Sequence, residues 1–161
     1  MDIDIKSSEG TFKLRACGVI VRDDKMLVDR ARNFEGYVYL GGHVGLGENS
    51  KDAIIREAKE ELQIDVEIVK LICINENLYP IHNHIAQEVS FYYLLKPLQD
   101  LPCEDFERHE IDGGIPVTHH YSWVNINDAK EVNLRPYWVA DMVMRGCENY
   151  YHLTDQRRED E

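Results

Sequence analysis

Positive charge is what this sequence is short of: its 161 residues carry 18 lysines and arginines against 30 aspartates and glutamates, a formal net charge of −12. The mean field around such a chain repels phosphate polymers and anionic lipid, so neither a nucleic-acid polymer nor a membrane surface is the expected partner. Long apolar runs are missing too. None approaches the roughly 18 residues of a spanning helix, and the first ten residues, MDIDIKSSEG, lack the basic and apolar regions of a secretory leader. The four cysteines, Cys17, Cys73, Cys103 and Cys147, form no CxxC and no short Cys/His spacing. That excludes the common zinc and disulfide patterns and leaves reduced, buried thiols. There is no internal repeat, linker or compositional bias. The expectation is a cytoplasmic protein with one domain over residues 1–161, frayed at 1–10 and 153–161.

Two apolar, β-branched runs, Thr11 to Val21 and KMLVDRA, are separated by Asp23-Asp24 and read as a hairpin. A short aromatic strand, Tyr37 to Leu40, precedes GGHVGLGENS, whose glycines read as a loop rather than regular structure. Ser50 is a plausible N-cap for KDAIIREAKEEL, about three turns of good helix formers with Ile54, Ile55, Ala58 and Leu62 on one arc. The runs IDVEIVKLICI and AQEVSFYYLLK read as strands, and the acidic stretch 97–118 as a surface loop. HYSWVNI reads as a further strand, with a short helix starting near Pro136. This order of elements gives an α+β fold, a mixed β-sheet between helices in an α/β/α arrangement.

The informative feature is the placement of Glu57, Glu60 and Glu61. Spacings of three and four put the three carboxylates within one turn on one side of the helix, where like charges repel by a few tenths of a kcal/mol. Hard divalent ions such as Mg2+ or Mn2+ take oxygen ligands of this kind. A bare E-x-x-E-E is more often a solvated helix face. Here it follows Gly41, Gly42, Gly45 and Gly47, a segment able to bring backbone close to an anionic ligand at a helix start.

These residues resemble the signature of the Nudix hydrolase family (MutT-like), G-x5-E-x7-R-E-U-x-E-E-x-G-U with U a bulky aliphatic. Gly42, Glu48, Arg56, Glu57, Glu60, Glu61 and Ile64 fall in register. Gln63 replaces the last glycine, Ala58 is smaller than the usual aliphatic, Gly45 stands where many members have an acid, and Leu40 where many have proline. The resemblance implies a Nudix-type α/β/α sandwich and a Mg2+- or Mn2+-dependent hydrolase. Its substrate would be a small nucleotide-like phosphoanhydride, a nucleoside diphosphate linked to another moiety, attacked by metal-activated water. It implies that Glu57, Glu60, Glu61 and the Gly42 carbonyl are metal ligands and that Arg56 pairs with Glu48. Glu57 is the first candidate for the base, and Glu88, on one strand face with Ser90 and Tyr92, is the second. Family habit adds a possible homodimer.

Weaker candidates surround that set. Arg30 and Arg32 share one side of a strand end and are candidates to meet substrate phosphate. Phe34, Tyr37 or Tyr39 is a candidate to stack on a base, with Tyr39 nearest the glycines. His82 and His84 read as an exposed turn rather than a transition-metal pair. The alternative function is a non-catalytic nucleotide sensor on the same fold, which has no need of all three carboxylates. An isomerase would need a cysteine positioned for proton transfer, and Cys17 and Cys73 read as core.

Overall fold

The computed structural model describes residues 1–81, 83–147 and 151–156. Strand β1 (Asp4–Lys6) lies against β2 (Gly10–Arg22), a long strand that also pairs with β3 (Lys25–Arg30) across the Asp23-Asp24 turn. The expected fraying of residues 1–10 therefore does not hold for Asp4–Lys6, whose backbone is taken up by β2. After β4 (Tyr37–Val38) comes β5 (Leu40–His43), antiparallel to β2.

The glycine pair thus sits in a strand, not in the loop expected of it. Gly41 has φ 131°, and a Cβ there would run into the Ala16 carbonyl oxygen, so glycine lets β5 approach β2 this closely. The irregular segment is shorter, from Val44 to Asn49.

Helix α1 (Ser50–Glu57) follows and passes directly into a single π-helical turn, Ala58–Leu62. Its N-cap is Asn49 rather than Ser50: the Asn49 side chain accepts hydrogen bonds from the Lys51 and Asp52 backbone N–H groups at 3.0 Å each. Ser50 instead ties the helix to the sheet, its hydroxyl 2.7 Å from that of Tyr93. Ile54, Ala58 and Leu62 are fully buried, as the periodicity predicts, whereas Ile55 stays 42% exposed. Each fully buried Ile or Leu contributes about 2 kcal/mol.

Strands β6 (Val66–Ile81) and β7 (His84–Pro97) form a long antiparallel pair, and β7 runs parallel to β2, so the sheet is mixed. His84 belongs to β7; His82 lies outside the described residues.

Residues 97–118 are not one loop. They hold β8 (Phe106–Asp112) and the start of β9 (Ile115–Asn125), joined at Gly113-Gly114, whose φ values of 56° and 85° suit glycine. Strand β9 pairs in turn with β3. A 3-10 turn (Ile126–Asp128), β10 (Leu134–Arg135), α2 (Trp138–Met144) and β11 (Tyr151–Gln156) complete the order. Strand β11 pairs with β6, which replaces the fraying expected from residue 153; residues 157–161 lie outside the described residues.

Alternation along β2 separates two cores. Ala16 and Ile20 face α1 with Ile54, Leu62 and Tyr93, whereas Cys17 and Val19 face α2 with Tyr39, Tyr92 and Val139. Helices thus cover both faces of a mixed sheet, the expected α/β/α layering. Among the described residues no helix is long and apolar enough to cross a membrane. Cys17, Cys73 and Cys147 are buried thiols as expected, while Cys103 is exposed.

Candidate active site

Arg56, in the last turn of α1, organises the acids around it. Its Nε and Nη2 donate to the two Glu48 oxygens at 2.9 and 3.0 Å, a bidentate pair, and Nη2 also donates to the His43 carbonyl at 3.0 Å. Its Nη1 reaches Glu57 at 2.7 Å and Glu60 at 2.9 Å. Glu48 further accepts the Gly45 N–H at 2.8 Å, and the Arg56 guanidinium holds its carboxyl below the usual range. One cation is therefore shared by three carboxylates, which leaves the group negatively charged.

Glu57 lies against the backbone of β5. A Cβ on Gly42 would come within 2.5 to 2.7 Å of the Glu57 carboxyl atoms, so the side chain occupies the space that a larger residue would fill. Burial raises the Glu57 pKa, opposed by Arg56 and reinforced by Glu60 and Glu110. Glu61 is enclosed further. Its Oε2 accepts from the Gly41 N–H and the Tyr121 hydroxyl, each at 3.2 Å, and burial pushes its pKa up to about 8. The π-helical turn beginning at Ala58 carries Glu60 and Glu61, an irregularity that often marks functional sites.

Glu88 is buried on the opposite sheet face from α1, where it accepts from the Ser90 hydroxyl at 2.9 Å and from Tyr79 at 3.4 Å. Arg15 links it to the glycine strand: its Nη2 donates to the Gly41 carbonyl at 3.1 Å, and its guanidinium senses both Glu88 and Glu61. Arg15 Nε and the Oδ1 atoms of Asn75 and Asn77 are buried without a partner among the described residues.

A second group comes from the β8–β9 hairpin. His119 Nδ1 lies 2.7 Å from Asp29 Oδ2 and its Nε2 lies 3.0 Å from Glu110 Oε1; Asp29 is fixed in turn by the His120 N–H at 2.8 Å. Glu61, Glu110 and His119 each offer a ligand atom within 4.8 Å of the others.

Sequence reasoning missed Arg15, Asp29, Glu110, His119 and Tyr121. Asp29 carried a signal, a charged residue inside the apolar strand KMLVDR that must find a partner if buried. For the hairpin the signal was hidden, because its inward positions include Arg108, Glu110 and His119 rather than a continuous apolar stripe.

The remaining candidates separate. Arg30 and Tyr37 line an open depression of about 550 Å³ together with Phe106, His120, Tyr121 and Ser122, the guanidinium 5.9 Å from the Tyr37 ring. Arg32 is exposed, with Nη2 3.5 Å from His119 Nε2. Tyr39 is core: its ring meets Tyr92 edge-on at 5.6 Å and its hydroxyl donates to the Pro136 carbonyl. That packing takes Tyr39 out of the substrate-stacking role expected of it. Phe34 lies under Arg135, 4.2 Å from the guanidinium.

The NUDIX domain profile matches residues 12–142. The chain belongs to the Nudix family. Its fold is the Nudix fold, and solved Nudix structures resemble it over most of their length. An ADP-ribose pyrophosphatase from Streptococcus suis is 18% identical at a TM-score of 0.56, with 89% of this chain and 98% of that one covered. A Nudix hydrolase from Nitrosomonas europaea is 15% identical at 0.63, covering 90% and 79%. A UDP-X diphosphatase is 13% identical at 0.55, covering 91% and 69%. At these identities the likeness is one of fold. No curated protein matches the sequence.

Proposed function

We propose that the chain hydrolyses a phosphoanhydride bond in a nucleoside diphosphate linked to another moiety, with Mg2+ or Mn2+ held by Glu57, Glu60, Glu61 and the Gly42 carbonyl. The observation that carries this reading is the crowding of Glu48, Glu57 and Glu60 around the single guanidinium of Arg56, with Glu57 pressed onto Gly42. Paired like charges in a partly desolvated site are relieved by a doubly charged cation, and an all-oxygen donor set suits a hard one. Such an ion, when bound, lowers the pKa of water and neutralises phosphate oxygens. It also gives an anionic substrate its place on a protein of net charge −12.

The chain's own residues do the rest. Arg56, clamped by Glu48, holds Glu57 and Glu60 in register. Water oxygen attacks one phosphorus, the bridging P–O bond breaks, the leaving phosphoryl oxygen keeps the electron pair, and the water proton passes to a carboxylate. Glu57 is the first choice for that base and Glu88 the second. The candidates for substrate phosphate are Arg30, which lines the 550 Å³ depression, and Arg32, which lies near His119; Tyr37, beside Arg30, takes over the stacking role from Tyr39. An ADP-ribose pyrophosphatase and a UDP-X diphosphatase among the structural neighbours support the choice of a nucleoside diphosphate with a second moiety. Burial pushes the Cys17 and Cys73 thiols up to about 12, which leaves no strand thiolate for isomerase chemistry at neutral pH.

A panel of such compounds, incubated with Mg2+ or Mn2+ in 18O-labelled water and resolved by mass, tests the reading. One labelled oxygen should enter one phosphate-bearing product; intact substrates throughout the panel, with ion present, contradict it.

A further inference from the structure

His119 has an acid at each ring nitrogen. Asp29 is 2.7 Å from Nδ1 and Glu110 is 3.0 Å from Nε2, with the imidazole 3% exposed. Asp29 is held by a backbone N–H, so it is a fixed acceptor that sets Nδ1 as the protonated nitrogen. Nε2 then faces Glu110 Oε1 at 3.0 Å, a pairing satisfied by a proton on the ring or, with the two donors turned, by a bound cation. Arg32 lies 3.5 Å from the same nitrogen, but it is an exposed, movable side chain and makes a long contact. Glu61 converges from the helix side, and both of its described hydrogen bonds fall on Oε2.

From this geometry we infer that Glu61, Glu110 and His119 form a metal site of mixed nitrogen and oxygen donors, which adjoins the all-oxygen set of Glu57, Glu60, Glu61 and Gly42 through the shared Glu61. A carboxylate–histidine pair behind a ligating Nε2 is the usual support of a metal-bound imidazole. An imidazole among carboxylates shifts preference from Mg2+ and Ca2+ toward first-row transition ions such as Mn2+, Co2+ or Zn2+. Metal–ligand bonds of about 2.1 Å require donor separations of roughly 3 to 3.5 Å, so the trio, within 4.8 Å now, closes by about an ångström on binding. The ring of Tyr121 stacks on His119 at 5.8 Å and its hydroxyl holds Glu61, which ties the two sides of the site together. An ion there joins the β8–β9 hairpin to the carboxylate turn. The inference shares Glu61 with the proposed hydrolytic site but stands on its own readout.

Mn2+ alone is the probe, read by pulsed EPR for coupling to a nitrogen ligand. The intact chain should show imidazole coupling, changed in the expected way by 15N-histidine labelling. The coupling should be lost in His119→Gln and kept in Glu57→Gln/Glu60→Gln, and Asp29→Asn should weaken that ion about tenfold or more. Mn2+ bound with no nitrogen coupling, or with coupling that survives His119→Gln, overturns this site and leaves the hydrolase reading intact. It would mean that a proton bridges the acids as an imidazolium. The intact-chain spectrum decides this even if a variant fails to fold. Absence of any bound Mn2+ overturns both.

Discussion

At the scale of single residues, Gly42 and Glu57 define each other. No unusual dihedral is needed at Gly42; what it provides is the absence of a Cβ where the Glu57 carboxyl lies. Gly42→Ala should therefore act through the acid: Glu57 has to swing off β5, turnover should fall at least tenfold, and stability should drop by about 1–3 kcal/mol from overpacking. Steady-state kinetics beside urea unfolding checks this, and a variant with full turnover would show that Glu57 does not work from the position described. The signature pattern alone located both residues, since spacing is preserved whatever the surroundings. Tyr39 shows the opposite case. An aromatic residue beside a glycine pair reads equally well as a stacking surface or as core, and only the alternation of β2 and the position of Tyr92 assign it to the core.

At the scale of elements, the end of the carboxylate turn explains the departure at Gln63. The residue sits at φ 61° and ψ 31°, the left-handed cap for which glycine is favoured, so the substitution changes no backbone path. Its side chain is used instead: Nε2 donates to the His109 carbonyl of β8 at 3.0 Å, while Arg108 Nε donates to Leu62 O at 3.1 Å. The hairpin thus caps the turn from outside. Gln63→Ala, which keeps the conformational cost and loses the bond, should be about 1 kcal/mol less stable in urea. Gln63→Gly should stay within about 0.5 kcal/mol of the parent, because relief at the cap offsets the lost bond. A glycine variant weaker than the alanine one would refute the cap argument. Strands β2, β3, β6 and β7 and helix α1 were legible because their apolar periodicity is continuous. The hairpin was not, because β8 turns Arg108 and Glu110 inward toward the carboxylate turn, and a strand that faces an ionic site does not show an apolar stripe. The π-helical turn likewise leaves no mark in residue types, which are good helix formers throughout.

At the scale of the whole molecule, bound cations reconcile the net charge of −12 with the proposed anionic substrate, with Arg30 and Arg32 as the chain's own candidates to assist. The mixed sheet holds β5 under α1, so that the Gly41 N–H, the Gly42 backbone and the three acids meet at one end of the helix. The most direct test is the rate of phosphoanhydride hydrolysis against Mg2+ concentration, for the parent chain and for Glu57→Gln with its folding checked by circular dichroism. Turnover is expected to vanish in chelator, to recover with Mg2+ or Mn2+, and to fall about a hundredfold or more in the folded variant. A rate that persists in chelator, or that survives Glu57→Gln unchanged, would contradict the proposed metal-dependent hydrolysis.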